Sequence, residues 1–288
     1  MPDSPPDPPF RRLGPASPAS PVVLSVPHAG RSYSKALLKA SRLGRETLEG
    51  LEDRLVDRLV WRAVAAGCAA LVADVPRAEI DLNRDEREID PALILPSPPA
   101  AGLIHSARAR GGLGLIPSRV GGAGAVWRQR IPAAEVARRL DEVHRPYHKT
   151  IAALLREARA QFGIAILLDC HSMPPRERPD RDPRIVLGDR HGTSIAPDLM
   201  DAAAAAVEAC GLAAGRNAPY AGGHITERHG RPSEGIHALQ LEIDRSLYLT
   251  PDLRSPGPGF ERTARLVADV AEALAARALG GVQSIAAE

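Results

Sequence analysis

Five short, largely apolar segments constrain the fold of this chain most strongly. They are VVLSV (22–26), CAALVADV (68–75), IAILLDC (164–170), RIVLGD (184–189) and HALQLEI (237–243). Apolar strands without a clear polar alternation are buried on both faces and are typical of parallel sheets. Segments with helical periodicity separate them, at residues 47–66, 132–162, 196–210 and 259–278. This alternation predicts an α/β fold with a mostly parallel sheet that helices cover on both faces.

The rest of the chain predicts one large domain behind an N-terminal tail. Residues 1–20 are rich in Pro and Ser and predict a disordered extension, so that a single domain covers residues 21–288. The tail has no apolar stretch of the length that a secretory signal needs, which predicts a cytoplasmic protein. No apolar run approaches the roughly 18 residues of a membrane span, so we expect no membrane partner.

Charge and cysteine content argue against two further classes of protein. The 37 basic side chains nearly cancel the 35 acidic ones, and the arginines are scattered among acids, so nucleic acid is not an expected partner. Cys68, Cys170 and Cys210 lie far apart in apolar stretches and predict buried thiols rather than a disulfide framework.

Polar side chains that come directly after, or at the end of, the apolar strands predict the position of a functional site. His28, Asp81, His171 and Glu242 occupy such positions. Ligands of parallel sheets bind beyond the carboxyl ends of the strands, where these side chains would meet. Two imidazoles and one carboxylate around a metal ion leave one position open for water, which is the arrangement of catalytic zinc sites.

Each of these residues also has a simpler interpretation. A histidine after a strand is often structural, and the carboxylate of Glu242 in a strand can be neutralised by a nearby arginine. The segment RAEIDLNR (77–84) offers Arg77 and Arg84 for bidentate recognition of a substrate carboxylate, but charged segments are often only solvated surface. His144 and His148 have the spacing of a metal pair, but no acid completes an H-E-x-x-H motif, and we expect both on a helix face or the surface.

Four strings in consistent order carry a resemblance to a known family. They are SVPHAG (25–30), RAEIDLNR (77–84), LLDCHS (167–172) and GGHIT through IHALQLEID (222–244). Together they resemble the N-formylglutamate amidohydrolases, a family similar to the zinc carboxypeptidases and aspartoacylases. The resemblance implies a phosphorylase/hydrolase-like, three-layer α/β/α fold. It also implies hydrolysis of N-formyl-L-glutamate to L-glutamate and formate, in histidine catabolism, with a divalent metal, Zn²⁺, as cofactor.

The resemblance also assigns roles to individual residues. His28 and His171 match the metal-binding histidines of the family, and Glu242 matches its general base and acid. The carboxypeptidase-like H-x-x-E string has Arg31 in place of its glutamate, so the third ligand is predicted to be Asp57, with Asp53 in reserve.

The substrate residues implied by the resemblance are Arg77, Asn83, Arg84, His224 and Thr226, where His224 replaces a tyrosine that is common in the family. The expected partner is therefore a small N-acyl amino acid. Two alternatives stay open: an aspartoacylase-like or carboxypeptidase-like hydrolase of another N-acyl amino acid, and a protein that binds an acidic metabolite without turnover.

Overall fold

The computed structural model describes residues 8–178 and 181–285. Its strands are β1 (Phe10–Leu13), β2 (Val22–Val26), β3 (Ala69–Ala73), β4 (Ile94–Leu95), β5 (Arg119–Val120), β6 (Gly124–Ala125), β7 (Ile131–Pro132), β8 (Ala165–Met173), β9 (Ile185–Gly188), β10 (Ala214–Arg216) and β11 (Ile236–Asp244). Its α-helices are α1 (Lys35–Ala40), α2 (Arg45–Leu48), α3 (Val56–Leu59), α4 (Trp61–Ala65), α5 (Ala107–Arg110), α6 (Ala133–Arg139), α7 (Arg145–Phe162), α8 (Pro197–Ala209), α9 (His224–His229) and α10 (Phe260–Ile285). Short 3-10 turns lie at Glu49–Leu51, Pro91–Leu93, Pro232–Glu234 and Arg245–Leu247.

A seven-stranded sheet organises the chain, with the strand order β1-β3-β2-β8-β11-β9-β10. Strand β8 pairs in parallel with both β2 and β11, and β10 pairs in parallel with β9, whereas β9 runs antiparallel to β11. Every residue of β2 and β8 is buried, as expected for strands that are covered on both faces. The predicted α/β fold with a mostly parallel, mixed sheet is confirmed.

The chain divides into two compact units. Of the described residues, unit 1 comprises 8–12, 28–52 and 72–147, and it contains the small two-stranded sheets β4–β7 and β5–β6. Unit 2 comprises the described residues 13–27, 53–71, 148–178 and 181–285. In unit 2, the long helix α10 packs against α3, α4, α8 and the strands β2 and β8, and α9 packs against β8 and β11. The single domain predicted for residues 21–288 stays a prediction.

The structure differs from the sequence prediction in the segment 1–20. Residues 1–7 lie outside the described residues, but Phe10–Leu13 form strand β1 instead of a disordered tail. The backbone carbonyl of Pro9 accepts hydrogen bonds from the N–H groups of Asp74 and Val75, and Arg11 forms an ion pair with Asp74 at 2.8 Å. These partners lie far away in the sequence, so the local Pro and Ser content did not reveal them.

Two predicted helices are also interrupted. The helix predicted over residues 47–66 is divided into α2, a 3-10 turn, α3 and α4, and Leu55, directly before α3, adopts a left-handed backbone conformation with φ of 62°. The helix predicted over residues 132–162 contains a π-helical turn at Leu140–His144 between α6 and α7. Among the described residues, no helix has the length and apolar content needed to cross a bilayer.

Candidate metal centre and catalytic carboxylate

Polar side chains line one face of three paired strands in unit 2. The register of β2, β8 and β11 aligns Ser25 with Asp169, Asp169 with Gln240, and His171 with Glu242. Because aligned residues of parallel strands, and every second residue along a strand, point to the same face, these five side chains form one polar layer. All five are buried, so each polar group needs a partner within the protein.

Hydrogen bonds within this layer connect neighbouring side chains. The Ser25 hydroxyl donates to Oδ1 of Asp169 at 2.8 Å, and the Gln240 amide donates to Oε1 of Glu242 at 2.8 Å. His171 was expected directly after the strand, but it lies inside β8, which continues to Met173 because its last residues pair with β11. Strand pairing therefore fixes the backbone of both His171 and Glu242.

The imidazole of His171 lies between two carboxylates. Its Nε2 is 2.8 Å from Oδ2 of Asp169, and its Nδ1 is 2.9 Å from Oδ2 of Asp53. Burial alone would lower the pKa of His171, but the charges of Asp169 and Asp53 outweigh it and raise the pKa well above its usual range. Two carboxylates beside one imidazole form a site for a positive charge, which either a proton or a metal ion can supply.

Side chains of β8 and of the segment that follows β11 hold the loop that carries Asp53. Oδ1 of Asp53 accepts hydrogen bonds from the Ser172 hydroxyl at 3.3 Å and from the Arg245 guanidinium at 3.4 Å. The next residue, Arg54, accepts a hydrogen bond on its carbonyl from the hydroxyl of Tyr248 at 2.8 Å. These contacts fix the carboxylate of Asp53, and its Oδ2 lies beside His171.

The structure brings Asp53, and not the predicted Asp57, to His171. Leu55 adopts a left-handed conformation between Asp53 and helix α3, which begins at Val56. Asp57 lies in the first turn of that helix. The two acids would share one face of a continuous helix, but the turn separates them. The reserve residue of the sequence analysis therefore has the geometry that was expected of Asp57.

In unit 1, His28 is held by a different arrangement of charges. Its Nε2 lies 2.7 Å from Oδ1 of the fully buried Asp81, and Oδ2 of Asp81 accepts a hydrogen bond from Arg77 at 2.9 Å. The guanidinium of Arg84 is 3.9 Å from the same oxygen. Burial raises the pKa of Asp81, but Arg77, His28 and Arg84 together lower it well below its usual range. Asp81 is therefore a carboxylate whose charge is compensated.

Gly30 explains why the string SVPHAG has a glycine after His28. A Cβ atom at Gly30 would lie 1.9 Å from the carbonyl oxygen of Val75, so any side chain would displace the loop from the backbone of residues 74 and 75. Within unit 1, the close approach fixes the loop of His28 against the segment that leads to Asp81.

The predicted substrate residues of the 77–84 segment are hydrogen-bonded, and Asn83 and Arg84 are also buried. The side chain of Arg84 donates to the carbonyls of Leu113 at 2.8 Å and Asn83 at 2.6 Å, and the N–H of Asn83 donates to Asp81 at 2.9 Å. Burial lowers the pKa of Arg84 despite the charge of Asp81. Arg77, in contrast, directs both Nε and Nη2 to Asp81. In the structure its guanidinium therefore binds a carboxylate of the protein itself.

The other two predicted substrate residues lie in α9 of unit 2. Thr226 is buried, and its hydroxyl donates to the carbonyl of Gly223 at 2.8 Å, which closes the first turn of the helix. His224 packs edge-on against His148, which in turn stacks on His229 with 3.0 Å between Nδ1 and Nε2. His148 is thus buried rather than on the surface.

Sequence reasoning did not select Asp169, His148 or His229 for this site. The position of Asp169, two residues before His171, was a usable signal, because that spacing places both side chains on one face of a strand. The contacts of His148 with His224 and His229 join residues that are distant in the sequence, and no local pattern indicated them.

Comparison with known proteins gives consistent matches. The model of the family "N-formylglutamate amidohydrolase" matches residues 20–249. N-formylglutamate deformylase of Pseudomonas aeruginosa is 32% identical over 241 residues, which cover 80% of this chain and 82% of the relative. The enzyme of that name from Pseudomonas putida is 31% identical over 239 residues, with the same coverage. The crystal structure of N-formylglutamate amidohydrolase from Ralstonia eutropha JMP134 superposes with a TM-score of 0.87 at 33% identity, over 95% of this chain and 99% of that one.

Proposed function

Because this chain belongs to the N-formylglutamate amidohydrolase family, we propose that it hydrolyses N-formyl-L-glutamate to L-glutamate and formate. The reaction breaks the C–N bond of the formamide and forms a C–O bond with the oxygen of water. The expected partner is a small N-acyl amino acid, and neither nucleic acid nor a membrane has a part in the proposal. We also propose that the enzyme acts in the cytoplasm and in histidine catabolism.

For the metal ligands we propose His28, Asp53 and His171, with Asp53 in place of Asp57. Within unit 2, the carboxylate of Asp53 and the imidazole of His171 are in direct contact, and His28 is the second histidine that the resemblance assigns to the metal. The observation that carries the proposal is the position of His171, whose Nε2 contacts Asp169 while its Nδ1 lies 2.9 Å from Asp53.

The second nitrogen of a metal-bound histidine commonly contacts a carboxylate, which fixes its orientation. His28 repeats this feature, because its Nε2 contacts Asp81. Nitrogen and carboxylate ligands suit Zn²⁺, which when bound lowers the pKa of water and polarises a carbonyl.

Glu242 is the proposed general base and acid. It is aligned with His171 in the register of β8 and β11, and the amide of Gln240 fixes its Oε1 at 2.8 Å. Its carboxylate would accept a proton from the attacking water and deliver it to the nitrogen of the leaving amine. The products are then the free amino group of glutamate and formate.

The substrate carboxylates are assigned to the 77–84 segment. Arg84 is the principal candidate, because burial lowers its pKa and a bound carboxylate would stabilise its charge. Arg77 and Asn83 support it through their contacts with Asp81. His224 and Thr226, at the start of α9, are proposed to form the wall that contacts the acyl amino acid.

Two matched acids provide the test of the metal site. We expect Asp53→Asn to lose the bound metal and formate release from N-formyl-L-glutamate, whereas Asp57→Asn keeps both. In the same experiment Glu242→Gln should keep the metal and lose roughly 10²–10⁴-fold in kcat. Metal analysis of the purified proteins and a formate assay measure these outcomes.

Loss of metal in Asp57→Asn instead of Asp53→Asn would contradict the ligand assignment. Full activity of the wild-type enzyme after exhaustive chelation would contradict the metal mechanism itself. N-acetyl-L-glutamate and N-formyl-L-aspartate, tested beside N-formyl-L-glutamate, separate this function from hydrolysis of another N-acyl amino acid.

A further inference from the structure

Unit 1 contains a cavity of about 750 Å³ that has no part in the proposed hydrolysis. It is lined by α1, by residues 127–132, by α6 and by Glu79. None of the residues proposed for the metal, for catalysis or for the substrate lines it. Its volume falls within the range of about 300–1,000 Å³ that is usual for small-molecule sites.

The floor of the cavity is apolar and fixed. Leu37, Trp127 and Ile131 line it and are largely buried. The indole N–H of Trp127 donates to the carbonyl of Pro117 at 2.8 Å, and the guanidinium of Arg139 lies 5.1 Å from the centroid of the indole ring. Because these contacts already hold the ring, the apolar part of the cavity is formed before any ligand binds.

The cavity wall carries more positive than negative charge. Its cationic residues are Lys39, Arg128, Arg130, Arg138 and Arg139, against the two acids Glu79 and Glu135. The whole chain has a formal net charge of only +2, so positive charge is concentrated at this cavity.

Most of these cations already have partners. Glu135 contacts both Arg138 and Arg139 at 2.8 Å, and Arg130 donates to the carbonyl of Ile94. Lys39 and Arg128 are exposed and make no ion pair with any acid in the described part of the chain. Two cations beside an apolar floor therefore remain available to an anion.

We propose that this cavity is a binding site for a small organic anion. A carboxylate or phosphate group of the ligand contacts Lys39 and Arg128, and its apolar body packs on Trp127. Charge-assisted hydrogen bonds to the two cations favour the anionic group, and the buried indole favours the apolar part. The site is separate from that of the substrate.

The wall of the cavity is preformed by one side chain. Arg139 donates from Nη1 to the carbonyl of Glu79 at 2.8 Å and from Nε to Glu135 at 2.8 Å, while its guanidinium covers the indole of Trp127. These contacts hold the floor and wall without a ligand, which is typical of small-molecule sites.

The two tryptophans of the chain allow a direct measurement of binding. In a Trp61→Phe background, Trp127 is the only indole, and its fluorescence reports occupation of the cavity. We expect benzoate and phenyl phosphate to change the emission with saturation, and benzyl alcohol and inorganic phosphate to bind more weakly than either. The tighter of benzoate and phenyl phosphate identifies the preferred anionic group.

A double variant, Lys39→Gln with Arg128→Gln, should weaken the binding of the tighter probe by about tenfold or more, because it removes two charge-assisted contacts. The matched control is Lys35→Gln with Arg156→Gln, which removes the same charge at exposed positions outside the cavity and should bind like the parent.

The proposal would be overturned if no probe gave a saturable signal, or if the two double variants bound the tighter probe equally well. Equal binding of benzyl alcohol and benzoate would overturn it as well. It would also be overturned by an emission that changes with protein concentration but not with the anions, because a second copy of the chain would then cover the cavity.

Discussion

His171 in unit 2 and His28 in unit 1 are both held by a buried aspartate, but the charges around the two aspartates differ. Asp169, beside His171, accepts its other hydrogen bond from the neutral hydroxyl of Ser25. Asp81, beside His28, accepts one from the cation of Arg77. His171 also contacts a second carboxylate, that of Asp53.

The difference assigns separate tasks to the two aspartates. Around His171 the negative charges of Asp169 and Asp53 exceed the positive charge nearby, so this environment favours a bound cation. Around Asp81 the charges of Arg77 and Arg84 compensate the carboxylate, so its contact orients His28 without adding net negative charge. Loss of an aspartate should therefore affect folding in one region and metal binding in the other.

The largest effect is expected for Asp81→Asn. The amide keeps the shape of the side chain but leaves the partly buried guanidinium of Arg77 and the buried guanidinium of Arg84 without their carboxylate. Removing one partner of a buried ion pair costs about 3–5 kcal/mol in the free energy of unfolding. Urea denaturation of the metal-free protein measures this change.

An exposed acid supplies the control for that measurement. Asp201 forms an ion pair with Arg216 at 2.8 Å, and both side chains are about half exposed, so Asp201→Asn should cost less than about 1 kcal/mol. If the two variants unfold at the same urea concentration, Asp81 does not compensate the arginines in the way proposed here.

The contrast between the two histidines could be predicted from the sequence only in part. The bounds of β2 agree with the apolar run 22–26, because VVLSV lies between prolines and its burial follows from its own composition. The end of β8 could not be predicted, because Asp169, His171 and Ser172 are polar residues that a strand interior tolerates only with partners. Those partners, Ser25, Asp53 and Arg245, are distant in the sequence.

The choice of the proposed third metal ligand was limited in the same way. The spacing of Asp53 and Asp57 fits a continuous helix, in which the two acids are equivalent. The left-handed residue Leu55 breaks that helix, and a leucine at this conformation carries no local sequence signal. The choice between the two acids therefore depended on the fold.

An intermediate effect is expected for Asp169→Asn. Asparagine can still accept a hydrogen bond from Nε2 of His171 and keeps the contact with Ser25, but it removes one negative charge beside the proposed metal ligand. Outer carboxylates of this kind contribute about 10–100-fold to metal affinity. Competition with a chromophoric chelator measures the metal affinity, and an unchanged value would show that the charge of Asp169 does not act on the metal.

The smallest effect extends the comparison to His229, which contacts no carboxylate in the part of the chain that the structure describes. Burial, with the nearby charges of Arg228 and Arg231 and with His224, lowers the pKa of His229 to about 3. The unfolded chain takes up this proton near pH 6.5, the folded chain only near pH 3. The contribution of the neutral His229 to the free energy of unfolding is therefore fully present above about pH 6.5. Below that pH it falls by about 1 kcal/mol per pH unit. Urea denaturation at pH 7, 6 and 5 should give a steeper loss for the wild type than for His229→Gln, whose amide can keep the contact with His148. Parallel losses would mean that His229 is protonated in the folded protein as readily as in the unfolded chain, and that burial beside His148 does not hold it neutral.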